Sequence, residues 1–123
     1  MTLQSTEAEC AAVAKAPRVS LGDIEAAIAE RYDVTAARAL HLTGFTESDE
    51  EAMVADRTGH PLRRLSVCFL VMRNGYTVVG KSACASPENF NAELGRKLAY
   101  EDAIRQLWPL MGFALRDKLA GFA

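Results

Sequence analysis

Leu65-Ser-Val-Cys-Phe-Leu-Val-Met-Arg73, then Asn74-Gly75, then Tyr76-Thr-Val-Val-Gly-Lys-Ser-Ala-Cys84 is the stretch that decides the fold. Two apolar, β-branched runs flank an Asn-Gly pair. That pattern predicts a β-hairpin, because a two-residue type I′ loop needs φ > 0 at both central positions. With Asn74 and Gly75 as the loop, Arg73 faces Tyr76, Val71 faces Val78, Phe69 faces Gly80 and Val67 faces Ser82. Side chains alternate, so these pairs share one face, and the ring of Phe69 fills the space above Gly80. The other face carries Met72 with Thr77, Leu70 with Val79, Cys68 with Lys81 and Ser66 with Ala83. Both faces are half apolar, and a lone two-stranded ribbon is marginal. One face therefore calls for the helix that follows. The other calls for the N-terminal helix or a second copy of the protein.

Downstream, Ser86-Pro-Glu-Asn-Phe90 predicts a helix start, with Ser86 as cap, Pro87 at the first helical position and Glu88 in the first turn. The helix runs to about Trp108. Phe90, Leu94 and Leu98 form one apolar row, and Ala99, Ala103 and Leu107 form the next, with Ile104 and Trp108 beside it. The ribbon's apolar side chains are expected to be hidden by this helix and by a further partner, so that Phe69 and Leu94 do not both face water. Pro109 cannot donate a helical hydrogen bond, which predicts a kink and a second, shorter helix over 109–119.

Upstream, Ser20-Leu-Gly-Asp23 reads as a helix cap, and Leu21, Ile24, Ala27 and Ile28 recur at helical spacing through about Tyr32. Residues 33–64 read as a long acidic loop. Within it, 34–43 fits either more helix or a strand, and 48–56 fits a short helix. Residues 1–17 form an Ala-rich tail or short helix ahead of a single domain over 18–123. The expected class is α+β: N-terminal helix, antiparallel hairpin or small sheet, long C-terminal helix, kinked final helix.

The 123 residues are 50% hydrophobic and 24% charged, enough for one core. Net charge is −2, but it is divided. Residues 1–60 hold five Lys/Arg and eleven Asp/Glu; residues 61–123 hold nine and five. The overall sign argues against bulk attraction to nucleic acid, although the basic C-terminal half keeps a nucleic-acid-binding module as the alternative reading. No apolar run approaches the length of a membrane span, and the first residues lack a signal-peptide pattern. Cys10, Cys68 and Cys84 are an odd count with no Cys-x-x-Cys, and His41 and His60 stand apart, so neither a disulfide framework, a metal nor a cofactor is expected.

The candidates for chemistry are few. Lys81, Ser82 and Ser86 sit where a helix start could hold an anion, with Arg96 and Lys97 one turn or more along. Gly95 lies mid-helix, where glycine costs about 1 kcal/mol relative to alanine. Close packing against the sheet is the preferred reason, ligand contact the sharper one. Cys68 and Cys84 lack a neighbouring base, and buried inert thiols are preferred over nucleophiles. An enzyme is the third-ranked reading. Leu70, Met72, Val79 and Phe113 are candidate interface residues for a dimer or larger homo-oligomer.

Asn74-Gly-Tyr-Thr-Val-Val-Gly-Lys-Ser-Ala-Cys84, Ser86-Pro-Glu-Asn-Phe90, Glu93-Leu-Gly-Arg-Lys97, Ala99, Glu101, Ala103, Trp108-Pro-Leu110 and Gly112 resemble a family of small phage and prophage proteins. It is the family named after gene product 49 of one enterobacterial phage and gene 66 of another. The resemblance spans residues 18–119. It carries no assigned activity, and so no catalytic residues. Members resembling this chain join the first helix to the hairpin by a shorter link than 33–64. The resemblance implies a phage or prophage accessory protein in the cytoplasm of the bacterial host. Such a protein is expected to bind a host protein or small ligand, without catalysis, and to interfere with a host process or defence.

Overall fold

The computed structural model describes residues 3–13, 16–42 and 60–122. Helix α1 spans Leu3–Val13 and α2 spans Leu21–Ala26. Strand β1 spans Ile28–Thr35 and is followed by α3, Ala36–Leu42. A 3-10 turn, Pro61–Arg64, leads into β2, Leu65–Met72, and β3, Thr77–Ala83. A second 3-10 turn, Pro87–Asn89, precedes α4, Ala92–Leu119. The class is α+β, as the sequence predicts. The short helix expected over 48–56, and the acidic run before it, lie outside the described residues.

Ser20 and Asp23 start α2 with a complete capping box. Asp23 N–H donates to Ser20 Oγ at 3.0 Å, and Ser20 N–H donates to Asp23 Oδ2 at 2.9 Å. The helix then ends after six residues, and the chain turns into a strand. The helical periodicity expected through Tyr32 therefore stops at Ala27. A free sheet edge on β2 takes up Ile28–Thr35 instead. The sheet is antiparallel in the order β1-β2-β3, with a bulge at Ala29 where the β1 register shifts between Ile28 and Glu30.

The hairpin forms where expected but one residue out of register. Met72 N–H donates to Tyr76 O at 2.8 Å, and Gly75 N–H donates to Met72 O at 2.9 Å. The loop is thus Arg73-Asn74-Gly75, with only Gly75 at positive φ (+88°). A type I turn closed by a left-handed glycine is the usual three-residue hairpin. Leu70 now faces Val78, Cys68 faces Gly80, and Phe69 faces Val79 rather than Gly80. A slip of one residue changes which side chains share a face. The inner face carries Ser66, Cys68, Leu70, Met72, Val78 and Gly80, all buried.

Helix α4 covers that inner face. Ala99, Ala103, Ile104 and Leu107 meet Cys68, Leu70, Met72 and Val78, and Leu21 and Ile24 of α2 complete the core. The approach is closest at Gly80. A Cβ there would sit 2.6 Å from Ala103 N and 2.8 Å from Ala103 Cβ, and would overlap the Ala99 carbonyl oxygen. No side chain fits. Leu70 and Met72 are core residues of this chain, which removes them from the expected interface between copies. The apolar row of Leu94 and Leu98 is not covered: Leu94 is 52% exposed. Phe69 is turned to the opposite face of the sheet and is 37% exposed, so the two are not hidden together. Pro109 lies inside α4, and the helix continues through it to Leu119 rather than restarting. Proline fixes a φ close to the helical value; its costs are the lost donor and the crowding of its ring against the carbonyl one turn back.

An ion pair ties helix α1 to the segment ahead of α2, and Leu3 packs against the core. Arg18 Nη2 donates to Glu7 Oε1 at 2.7 Å. Leu3, Thr6 and Cys10 of α1 line a cavity with Val19 and Trp108.

Two outcomes are expected. Gly80→Ala should lower stability by about 3 kcal/mol, because the clash is with helix backbone that cannot rotate away; urea unfolding checks it. Arg18 holds the Glu7 carboxyl below its ordinary value of 4.5. The stability this gives to docked α1 is complete above that value and is lost as pH falls through the lower folded one. Trp108 emission, from the only tryptophan, should therefore shift red on acidification, and Glu7→Gln should show the shift at neutral pH.

Candidate functional site

Two surfaces qualify. The first is a cleft between the end of the sheet and the start of α4. It is lined by Arg64, Ser66, Ser82, Ala83, Cys84, Asn89, Phe90, Asn91, Leu94, Gly95 and Leu98. Its volume is about 140 Å³, below the 300–1,000 Å³ typical of small-molecule sites. Cys84 N–H donates to Arg64 O at 3.2 Å, and Arg64 Nε donates to Cys84 O at 3.2 Å, which ties the two sides of the cleft together. Gly95 packs directly against Ser66: a Cβ at Gly95 would overlap Ser66 Oγ and lie 3.3 Å from its Cβ. Close packing on the sheet thus accounts for the glycine, which lies in the first turn of α4 rather than mid-helix because the helix starts later than the sequence predicts.

The expected anion cluster is dispersed. Ser82 lines the cleft, but Lys81 projects from the opposite, outer face of β3. Its backbone N–H donates to Asp102 Oδ2 at 3.0 Å. Arg96 and Lys97 are exposed on α4. Ser86 does not cap the helix. Asn91 does, accepting from Leu94 N–H at 3.0 Å, because the chain makes a 3-10 turn before α4 begins. The Ser86 hydroxyl instead donates to the Glu88 carboxylate, which lowers the Glu88 pKa first of all, with a backbone hydrogen bond and Arg64 acting in the same direction. A fixed negative charge therefore occupies the place where an anion would have to sit.

The cysteines are free: Cys10 exposed, Cys84 half-buried, Cys68 buried. Burial, helped by the nearby Asp33 carboxylate, pushes the Cys68 thiol up to about 11. It stays protonated at neutral pH and is a poor nucleophile. Among the described residues no group of three or more His, Cys, Asp or Glu could hold a metal ion.

The second surface is the outer face of the sheet, of which the sequence reading picks out only Val79 as an interface residue, because it does not place a strand over 28–35. Tyr32, Phe69 and Val79 stand in one row across the three strands. Tyr32 is 53% and Val79 50% exposed. Val34 and Val67 flank the row on one side, Val71 on the other. The Tyr32 hydroxyl donates to Glu30 Oε1 at 2.6 Å, which holds the ring in place. Lys81 lies at the rim. The signal in the sequence was the alternation of Tyr32 and Val34 with Arg31 and Asp33. Phe113, the other candidate interface residue, is 71% exposed but sits on α4, away from this row.

A model of the phage protein (N4 Gp49/phage Sf6 gene 66) family matches residues 19–119, most of the chain. The chain belongs to this family. The matched span takes in α2, the whole sheet and α4, and so both candidate surfaces. No curated protein and no solved structure matches the chain. No described helix is long and apolar enough to cross a membrane.

The Gly95–Ser66 contact gives a test. Gly95→Ala should gain about 1 kcal/mol of helix propensity and lose more to the displaced Ser66 side chain. The single variant should unfold at lower urea. In a Ser66→Ala background the same change should instead raise the midpoint.

Proposed function

We propose that this phage family member is an accessory protein that binds a protein of the infected bacterium through the outer face of its sheet, interferes with that protein's work, and performs no catalysis of its own. The observation that carries the reading is the exposed row Tyr32, Phe69 and Val79. Aromatic side chains on a rigid sheet lose little conformational entropy on binding and are the residues that most often dominate protein interfaces. The cleft at the start of α4, at about 140 Å³, is too narrow to argue for a small-molecule site there.

Nucleic acid is the competing occupant, since bases stack on exposed rings. The outer face offers Lys81 but also the Glu30 carboxylate against Tyr32, so a basic track along a phosphate backbone is absent from the described part of this face. A protein partner fits better. The site of action is the bacterial cytoplasm.

Phe69→Lys is the test, with thermal unfolding confirming that the fold is intact. A host protein retained by the native chain should be purified and its affinity measured. The substitution should weaken binding about thirtyfold or more, as for a central interface residue. Equal affinity of native and variant protein would overturn the reading. So would retention of nucleic acid alone.

A further inference from the structure

The two edges of the sheet are built differently. On β3, Lys81 N–H donates to Asp102 Oδ2 at 3.0 Å, and Gln106 Nε2 donates to Val79 O at 2.7 Å. Two side chains of α4 thus occupy two of the outward backbone groups of that edge. Nothing comparable closes β1 among the described residues. Ala29 to Asp33 are all exposed, and no described strand lies beyond them. An edge of this kind is a template for another strand.

The geometry points to a second copy of this chain as that strand: we propose an antiparallel β1–β1′ pair with Tyr32 on the two-fold axis. The regular part of β1 runs from Glu30, just past the bulge, to Thr35, where α3 begins. Arg31 and Asp33 both face the helix side, opposite Leu70 and Cys68, and they pair within the strand at 2.9 Å. With Tyr32 against Tyr32 of the copy, each Arg31 lies opposite an Asp33 of the other strand. Two opposite-charge pairs then form across the seam. A two-fold axis permits only shifts of one residue in each strand. One such shift sets Arg31 against Arg31, and the other sets Asp33 against Asp33. Like charges directly opposite are unfavourable, so the charges select one register. The contact is isologous, with each copy supplying the same segment. On the outer face the row becomes continuous, running from Val79 and Phe69 through both Tyr32 side chains to the same residues of the copy. The inference stands apart from the host-protein reading, since it concerns the strand edge and is read by mass.

Light scattering during gel filtration should give about twice the chain mass of 13.4 kDa, falling toward that of the single chain on dilution. Arg31→Asp and Asp33→Arg should each weaken self-association at least tenfold, while an equimolar mixture of the two should form a heterodimer, because unlike charges again oppose. Arg31 also lies over the Tyr100 ring at 4.0 Å, so a second variant avoids it. In a Cys10→Ser, Cys84→Ser background, Tyr32→Cys should cross-link to a disulfide dimer on mild oxidation, its partner being itself. Glu30→Cys should not, since two positions 30 lie four residues apart along the seam, well beyond disulfide reach. A native chain that stays monomeric at all concentrations would overturn the proposal. So would a dimer untouched by either charge reversal, or equal cross-linking at 30 and 32.

Discussion

The seating of α4 on Gly80 is the contact on which the rest depends. Only a residue without a Cβ lets the Ala99 carbonyl and the Ala103 amide come so close to β3. That closeness brings Ile104 and Leu107 onto Leu70, Cys68 and Val78, and gives the core most of its volume. It also decides which face is inside. Once Gly80 faces the helix, alternation sends Phe69 and Val79 outward. The exposed row is therefore a direct result of the packing beneath it. A sheet with one covering helix buries one face, and here the uncovered one is greasy.

The hairpin was legible because turn chemistry and β-branched runs are local signals. Its register was not, because Asn74-Gly75 serves two loops equally. It can form both central residues of a type I′ turn, or the last two residues of a three-residue loop. In the second, Asn74 Oδ1 accepts from Tyr76 N–H and only Gly75 needs positive φ. The one-residue difference moved Phe69 off Gly80. Strand β1 was hidden for another reason. Its helix side carries Arg31 and Asp33, and its approach is rich in alanine, so neither period stood out. Pairing with β2, a tertiary effect, overrode the helical spacing from Leu21 to Ile28. The α4 start was misplaced by a few residues because Ser86 and Asn91 are both able caps. The close packing at Gly95 was legible, since a glycine in a helical pattern usually marks a close neighbour, but its place in the first turn was not, because the helix start was set too early.

Arg31 links the edge strand β1 to α4. Its guanidinium lies over Tyr100 of α4 and pairs with Asp33 on the same strand. An edge strand with charge on its covered side resists random stacking against apolar surface. The family match takes in the described sheet and α4 together, within residues 19–119. The cleft and the outer face thus belong to the shared scaffold rather than to the N-terminal helix.

The hydrogen bonds from Lys81 to Asp102 and from Gln106 to Val79 have a further consequence. They cover part of the β3 edge, so that among the described residues β1 is the edge more open to a further strand. An object with a single sticky end can couple once and is then finished. Runaway fibre growth needs two open ends, so the cover that α4 places over part of β3 works against filament growth through the sheet.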